Sequence, residues 1–183
     1  LLLEVKEEPL FMLMTYMQLA QVYDELKDYP AALDTFSTLF TISPAMRENE
    51  DMKNLYYKYY LHVEHQKKPQ NAKILNDLGQ KLLILNEHSE ALEYLNKALV
   101  IEPNNPVING NLGYLYLQID QLPEARQYLQ RAVELKPDYV KAWYNLGLVR
   151  QQMGNLENAR GAFQKVLEFE PGHEKALEAL NRL

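Results

Sequence analysis

Three prolines recur at an interval of 34 residues, at Pro103, Pro137 and Pro171. Each closes a run of the same character: Ala-Leu-Val-Ile-Glu-Pro, Ala-Val-Glu-Leu-Lys-Pro and Val-Leu-Glu-Phe-Glu-Pro. A period of this length is typical of a solenoid, whose units bury their apolar faces only by stacking on one another. The period therefore predicts a repeat fold, and the extended surface of such a fold favours a binding function.

Apolar residues within each period follow helical spacing. Leu75, Leu78 and Leu82 form the stripe of a first helix, and Leu92 and Leu95 belong to the stripe of a second. Turn-forming residues separate the two helices, and the repeat-ending prolines stop the second one. Each period is therefore predicted to be an antiparallel pair, helix A followed by helix B.

Glycine recurs in the middle of the predicted A helices, at Gly79, Gly113 and Gly147. A helical glycine costs about 1 kcal/mol relative to alanine. We therefore expect these positions to permit close approach of helix B, where a side chain would overpack the contact. The residues expected to face the glycines are Ala91, Ala125 and Ala159.

The last full period places Trp143 three residues before Leu146 and four before Gly147. With the later alanine, phenylalanine and proline positions, this pattern resembles the tetratricopeptide repeat. Asn109 departs from it by replacing the large first residue, and Arg150 departs by replacing an aromatic one. The four copies in register are residues 13–46, 72–105, 106–139 and 140–173.

The resemblance implies an all-α fold, a right-handed superhelical solenoid of antiparallel helix pairs. Residues 1–12 are expected to be the end of a helix B from a preceding repeat, closed by Pro9, so that the chain starts inside a longer protein. Residues 174–183 are expected to cap the array or to start a further unit, with Leu177 and Leu180 in the places of Trp143 and Leu146.

Residues 47–71 interrupt the period and predict one inserted amphipathic helix with its linker. We expect its apolar stripe to pack on the repeats, with a partner-binding surface as the alternative, since tyrosine suits binding faces. The opposite side is expected to be mostly covered by polar residues, Glu48, Glu50, Lys53, Asn54, Lys58 and Glu64. The stripe comprises Met52, Leu55, Tyr56, Tyr59, Tyr60 and Val63.

In tetratricopeptide arrays the A helices line a concave groove that binds peptides or helices. Carried over by position, this implies a partner-binding groove with an apolar strip of Leu83, Tyr114, Leu117 and Leu148. The amides are expected either to hold a peptide backbone or to tie neighbouring repeats together. The other groove residues are Lys73, Asn76, Gln80, Asn111, Gln118, Lys141, Tyr144, Asn145 and Gln151. The first repeat would add Met14, Met17, Gln18, Gln21, Asp24 and Glu25.

One subset of the family holds chaperone tails with a two-carboxylate clamp of Lys, Asn, Asn, Lys and Arg. The corresponding positions here are Asn76, Gln80, Asn111, Lys141 and Asn145, of which two match. The sequence therefore argues against a chaperone co-factor role.

Enzymatic and nucleic-acid functions find little support. The chain has no cysteine, no Gly-rich phosphate loop and no nucleophile elbow. His62 and His65 are three residues apart, whereas a zinc pair is more often four apart with a third ligand, so they are interpreted as solvated or packing residues. A net charge of −6 argues against nucleic-acid binding. We predict a non-enzymatic scaffold or adaptor that needs no cofactor and no metal.

Two alternatives remain open: the interaction arm of a larger enzyme, such as a transferase or peptidase, and a self-associating structural module. No apolar run approaches the roughly 20 residues that span a bilayer. We expect a cytoplasmic location, with a periplasmic one or anchoring through residues outside this sequence as alternatives.

Overall fold

A computed structural model describes the backbone of residues 4–183 and the side chains of residues 11–183. This part of the chain forms ten α-helices and a short 3₁₀ helix, Pro44–Glu48, and contains no strand. The predicted all-α fold of helix pairs is confirmed. The helices are α1 Glu4–Glu25, α2 Tyr29–Ile42, α3 Glu50–Lys67, α4 Ala72–Ile84, α5 His88–Ile101, α6 Pro106–Gln118, α7 Leu122–Leu135, α8 Val140–Gln152, α9 Leu156–Phe169 and α10 Glu174–Asn181.

The helices fall into two compact units. Unit 1 comprises residues up to 70 together with 84–86, and unit 2 comprises residues 71–83 and 87–183. Unit 1 holds the pair α1 and α2 and the inserted helix α3. Unit 2 holds the successive pairs that follow, and it ends with α10.

The turn between helix A and helix B has the same geometry in all four repeats. The fifteenth residue of each repeat lies in this turn and adopts a left-handed conformation. Its φ is 55° at Lys27, 61° at Asn86, 58° at Asp120 and 76° at Gly154. A left-handed residue after a helix lets the next backbone N–H reach back to a free carbonyl of the last turn. That bond recurs here, from residues 28, 87, 121 and 155 to the residue five positions earlier, at 2.8–2.9 Å. The repeated turn keeps every helix pair in the same register.

The mid-helix glycines are close-contact positions, as predicted, but the residues that face them differ from the prediction. A Cβ added at Gly113 would lie 2.5 Å from Leu129 Cγ, and one added at Gly147 would lie 2.5 Å from Phe163 Cε1. The facing residues are therefore one helical turn beyond the predicted alanines. Those alanines are fully buried beside the same contact, for example Ala125.

Asn109 makes the same kind of hydrogen bond as Trp143, which occupies the equivalent position of the next repeat. Trp143 Nε1 donates to the carbonyl oxygen of Pro137 at 2.7 Å. One repeat earlier, Asn109 Nδ2 donates to the carbonyl oxygen of Pro103 at 3.1 Å. The fourth residue of these two A helices thus bonds to the carbonyl group of the proline near the end of the preceding repeat, whether that residue is an asparagine or a tryptophan.

Unit 1 packs the inserted helix α3 against the first helix pair. Tyr59 is buried, its ring centroid 5.5 Å from that of Phe36. Tyr60 belongs to the predicted stripe but is 43% exposed. The expectation that the stripe packs on the repeats therefore holds for Tyr59 and, in part, for the half-buried residues around it. These are Met52, Leu55, Tyr56 and Val63.

The predicted polar side of α3 is exposed at Glu50 and half-buried at Lys53 and Glu64, but two of its members lie in the interior. Asn54 and Lys58 are both buried, and the Lys58 Nζ lies 3.0 Å from a carboxylate oxygen of Asp24 on α1. The prediction was wrong for Asn54 and Lys58 because it assigned side chains by polarity alone. A lysine can enter an interior along its aliphatic stem when a carboxylate meets its ammonium group.

Helix α1 runs without interruption through Pro9, where the sequence predicted the end of an earlier helix. Pro9 is the sixth residue of α1, beyond the four positions whose N–H groups have no intrahelical partner. It therefore removes one hydrogen bond of the helix, and its ring crowds the carbonyl group of the preceding turn. Residues 1–3 of the predicted segment 1–12 lie outside the described residues.

At the other end, α10 packs on α9. Ala176 and Ala179 are buried against Phe163 and Val166, whereas Leu177 is 43% exposed. Small residues make this contact, so Leu177 does not take the buried role expected from its register. Among the described residues, no helix combines the length and apolarity needed to cross a bilayer.

Candidate functional site

The first helices of the three pairs in unit 2, α4, α6 and α8, are linked in series. The Asn111 side chain on α6 donates a hydrogen bond from Nδ2 to Asn76 Oδ1 on α4, at 2.9 Å. Leu117 on α6 packs into one core cluster with Leu146 and Val149 on α8. We call the surface that these three helices share in unit 2 the A-helix face.

The structure separates the predicted groove residues into three groups. The exposed ones are Lys73, Gln80, Tyr114, Gln118 and Lys141. The half-buried ones are Asn111, Tyr144, Asn145, Leu148 and Gln151. The buried ones are Asn76, Leu83 and Leu117.

The predicted apolar strip is therefore wrong in two of its four members. Leu117 lies in the core of α6, α7 and α8, and Leu83 is 6% exposed. Leu148 is half-buried against the same core. Tyr114, at 39% exposure, is the strip residue that stays available to a partner.

Tyr144 is held by its neighbours. Its ring centroid lies 5.8 Å from that of Phe163 and 5.2 Å from that of His173. The His173 ring is fixed in turn, because its Nδ1 accepts a hydrogen bond from the backbone N–H of Ala176 at the start of α10. Tyr144 therefore shapes the face more than it offers a free aromatic contact.

The amides of the face divide between the two roles that the sequence left open. Asn111 and Asn76 bond to each other across two repeats, so they tie the array together. Asn145, one repeat after Asn111, has a half-buried side chain that makes no hydrogen bond to any other residue that the structure describes. Like the glutamines of the face, Gln80, Gln118 and Gln151, Asn145 thus remains available to a partner backbone.

The Tyr139 ring packs closely against α6 at Gly110. A Cβ added at Gly110 on α6 would lie 2.8 Å from Cε1 of Tyr139, the residue that precedes α8. Burial raises the pKa of the Tyr139 phenol, which therefore stays neutral at physiological pH. Lys136 lies over its ring at 5.5 Å from the centroid. The Tyr139 phenol therefore adds no negative charge to the A-helix face.

Unit 1 contains a separate cavity of about 440 Å³. All of the first-repeat positions that the resemblance implied line this cavity, except Glu25. The far wall comes from Met52, Leu55 and Tyr59 of α3, a contribution that sequence reasoning missed. The helical spacing of these residues was visible, but the spacing does not say which helix they meet. From α1 the cavity receives Met14, Met17, Gln18, Gln21 and Asp24.

Comparison with known families identifies the class of protein. Profiles described as tetratricopeptide repeat match residues 15–46, 82–147 and 140–173, which together cover about two thirds of the chain. The chain belongs to the tetratricopeptide repeat family. No curated protein matches the sequence.

Solved structures show the same fold. MamA is 23% identical, with a TM-score of 0.61 over 88% of this chain and 80% of that one. The first tetratricopeptide repeat domain of Spaghetti (RPAP3), bound to the HSP90 peptide SRMEEVD, is 29% identical, with a TM-score of 0.60 over 62% of this chain and 90% of that one. The second such domain of human RPAP3, in complex with the HSP70 peptide SGPTIEEVD, is 27% identical, with a TM-score of 0.56 over 59% and 90%.

Proposed function

We propose that this chain is a protein-interaction scaffold whose A-helix face binds an extended peptide segment of a partner. The observation that carries the proposal is that Tyr114 on α6 and Asn145 on α8, two helices in contact, both keep part of their side chain accessible. Tyr114 is 39% exposed, and the Asn145 amide has no partner among the described residues. An aromatic ring on one helix and an amide on the next can together bury an apolar side chain and hydrogen-bond the backbone of one bound segment.

Two exposed lysines support the same reading. Lys73 on α4 and Lys141 on α8 occupy the same position of their repeats, two periods apart. Their ammonium groups flank the amides of the face in sequence and would attract acidic residues of a bound segment. Affinity is expected from Tyr114 and orientation from Asn145 and Lys141.

Membership of the family points the same way. Tetratricopeptide repeat domains are in general interaction modules without catalytic machinery, and two structural neighbours have peptides bound. We therefore propose no catalytic role.

The peptides of those two neighbours both end in Glu-Glu-Val-Asp. Of the five clamp positions, Asn76, Gln80 and Asn145 depart from the pattern of the chaperone-binding subset. Asn76 also accepts a hydrogen bond from Asn111, so two amides of the set bond to each other. We propose that this face prefers a different segment and binds such a tail weakly.

A peptide-display selection against the full chain tests the proposal. Selected peptides are made with a fluorescent label, and their Kd is measured by anisotropy beside that of SRMEEVD. The double variant Tyr114→Ala/Asn145→Ala should weaken the selected peptides at least about tenfold, since a buried aromatic contact and a hydrogen bond each contribute about 1 kcal/mol or more. Tyr144 is left intact because its ring packs on Phe163.

The matched control is Gln164→Ala, an exposed position on α9 that belongs to a B helix. Circular dichroism of each variant checks that the helices persist. Equal affinity of the wild type and the double variant, with helicity retained, would place the binding surface elsewhere.

A further inference from the structure

A second groove of about 1180 Å³ lies on unit 2 and is lined by none of the predicted groove residues. Its wall is one side of α7, and its opposite side comes from the end of α8 and the start of α9. We call it the α7–α9 groove. Its charged lining residues are Glu124, Arg126, Arg131, Glu134 and Arg150.

Arg150 crosses this groove. Its Nη2 donates to Gln130 Oε1 on α7 at 2.9 Å, and its Nη1 donates to the carbonyl oxygen of Asn158 on α9 at 3.2 Å. One repeat earlier the same position holds Tyr116, which stacks on Tyr128. The departure from the repeat pattern thus puts a guanidinium group where the neighbouring repeat has a ring. Both of its acceptors are neutral, so its charge is not compensated.

Arg126 faces the same groove and adds a second positive charge. Burial lowers the pKa of Arg150, and the nearby positive charge of Arg126 lowers it further. Within residues 11–183, neither guanidinium lies within ion-pair distance of a carboxylate. Arg131, on the same helix, differs: its Nη1 lies 3.6 Å from a carboxylate oxygen of Glu134, and its Nη2 donates to Asn104.

The two glutamates of the groove do not supply the missing charge. Glu134 is engaged by Arg131 and accepts a hydrogen bond from Gln130. Glu124 lies in the first turn of α7 and forms no ion pair with the described residues. In a chain with a net charge of −6, two uncompensated guanidinium groups in one groove attract a carboxylate from outside.

The size of the groove decides between a single ion and a longer ligand. A volume of about 1180 Å³ exceeds what one small anion fills and lies above the roughly 300–1,000 Å³ of small-molecule pockets, so the groove has room for a longer segment. We propose that the α7–α9 groove is a second interaction site, which binds an acidic peptide segment of a partner protein and holds one of its carboxylates between Arg126 and Arg150. The proposal does not rest on the A-helix face, and it makes the chain a scaffold with two separate sites.

The test uses the full chain and a fluorescein-labelled hexaglutamate peptide at low ionic strength, with anisotropy as the readout. Arg126→Gln should weaken binding about tenfold, because it removes one charge-assisted contact. Arg131→Gln removes the same formal charge from the same helix but from an arginine that already has a carboxylate partner. It should therefore leave the Kd within about twofold.

Three outcomes of the peptide titrations would overturn the proposal, and a fourth comes from a variant of the A-helix face. The first is no binding of hexaglutamate, and the second is an equal loss in Arg126→Gln and Arg131→Gln, which would mean general charge attraction. The third is full displacement of the peptide by inorganic phosphate at a similar concentration, which would mean a pocket for a bare anion. Tyr114→Ala provides the remaining check: retained binding supports a site apart from the A-helix face, and lost binding contradicts it.

Discussion

The two units bury different kinds of side chain. In unit 2 the interior consists mainly of leucine and alanine, and its close helix contacts run over glycines such as Gly113. In unit 1 the interior is built from aromatic rings and includes buried polar groups. His62, for example, stacks on Tyr29 with ring centroids 3.7 Å apart, and Lys58 is buried beside Asp24.

The difference follows the repeat period. Where pairs of helices recur in register, each interior position meets an equivalent neighbour, and small apolar residues suffice. Residues 47–71 have no equivalent neighbour, so α3 meets the first helix pair through contacts particular to this place. Aromatic rings and a charge pair fill that irregular contact, which makes unit 1 sensitive to charge and pH and unit 2 sensitive to volume.

The largest effect is expected from adding volume in unit 2. Gly113→Leu should lower the free energy of unfolding by about 3 kcal/mol, because its Cβ would lie 2.5 Å from Leu129 Cγ and 2.9 Å from the Leu129 backbone nitrogen. Urea unfolding followed by circular dichroism measures it. Gly161→Leu is the control, since nothing lies within 4 Å of its added Cβ, and it should be neutral or gain up to about 1 kcal/mol. Equal stability of the two variants would contradict the tight contact.

A smaller loss is expected from removing charge in unit 1. Asp24→Asn should destabilise this unit by about 2 kcal/mol, because Lys58 is 4% exposed and loses the carboxylate 3.0 Å away. The loss stays below that of a fully buried pair because Asp24 is 27% exposed. Hydrogen exchange of the α1 and α3 amides reports it. Glu168→Gln removes an exposed partner of Lys165 in unit 2 and should cost less than about 0.5 kcal/mol.

The smallest expected effect is a loss of stability of unit 1 between pH 6.5 and 5.5. Burial lowers the pKa of His62 to about 3, with further lowering by the charges of Lys58, His65 and Lys27. The folded state therefore favours neutral His62, and its contribution is complete above the unfolded pKa of about 6.5 and is lost as pH falls toward 3. Between pH 6.5 and 5.5 the loss should be about 1 kcal/mol.

Hydrogen exchange of α3 at these two pH values measures the loss. His62→Phe keeps a ring against Tyr29 but cannot be protonated, so it should flatten the pH dependence in this window. An unchanged pH dependence in the variant would show that another group is responsible.

Much of the fold was predictable because it depends on local periodicity. The 34-residue spacing predicted the helix pairs, and the mid-helix glycines predicted the close contacts between them. The partners of those glycines were predicted one turn away from their true position. Periodicity identifies the helix face that is buried. Which residue of helix B meets the glycine of helix A depends on the relative axial position of the two packed helices.

The candidate site was predictable only in part. The positions on α4, α6 and α8 carried over from the family, but their exposure did not. Leu83 and Leu117 are buried, and Asn76 and Asn111 bond to each other. Whether a side chain on such a helix faces a partner or a neighbouring helix depends on residues about 34 positions away.

By itself, the sequence determined that the chain is a series of helix pairs with a break at residues 47–71. It did so because turns, proline stops and helical spacing act over a few residues and repeat in register. Only the tertiary structure decided that Lys58 is buried beside Asp24, that Arg150 spans α7 and α9, and that Tyr114 and Asn145 remain available. Those outcomes depend on charge and space shared between helices far apart in sequence, which local patterns do not record.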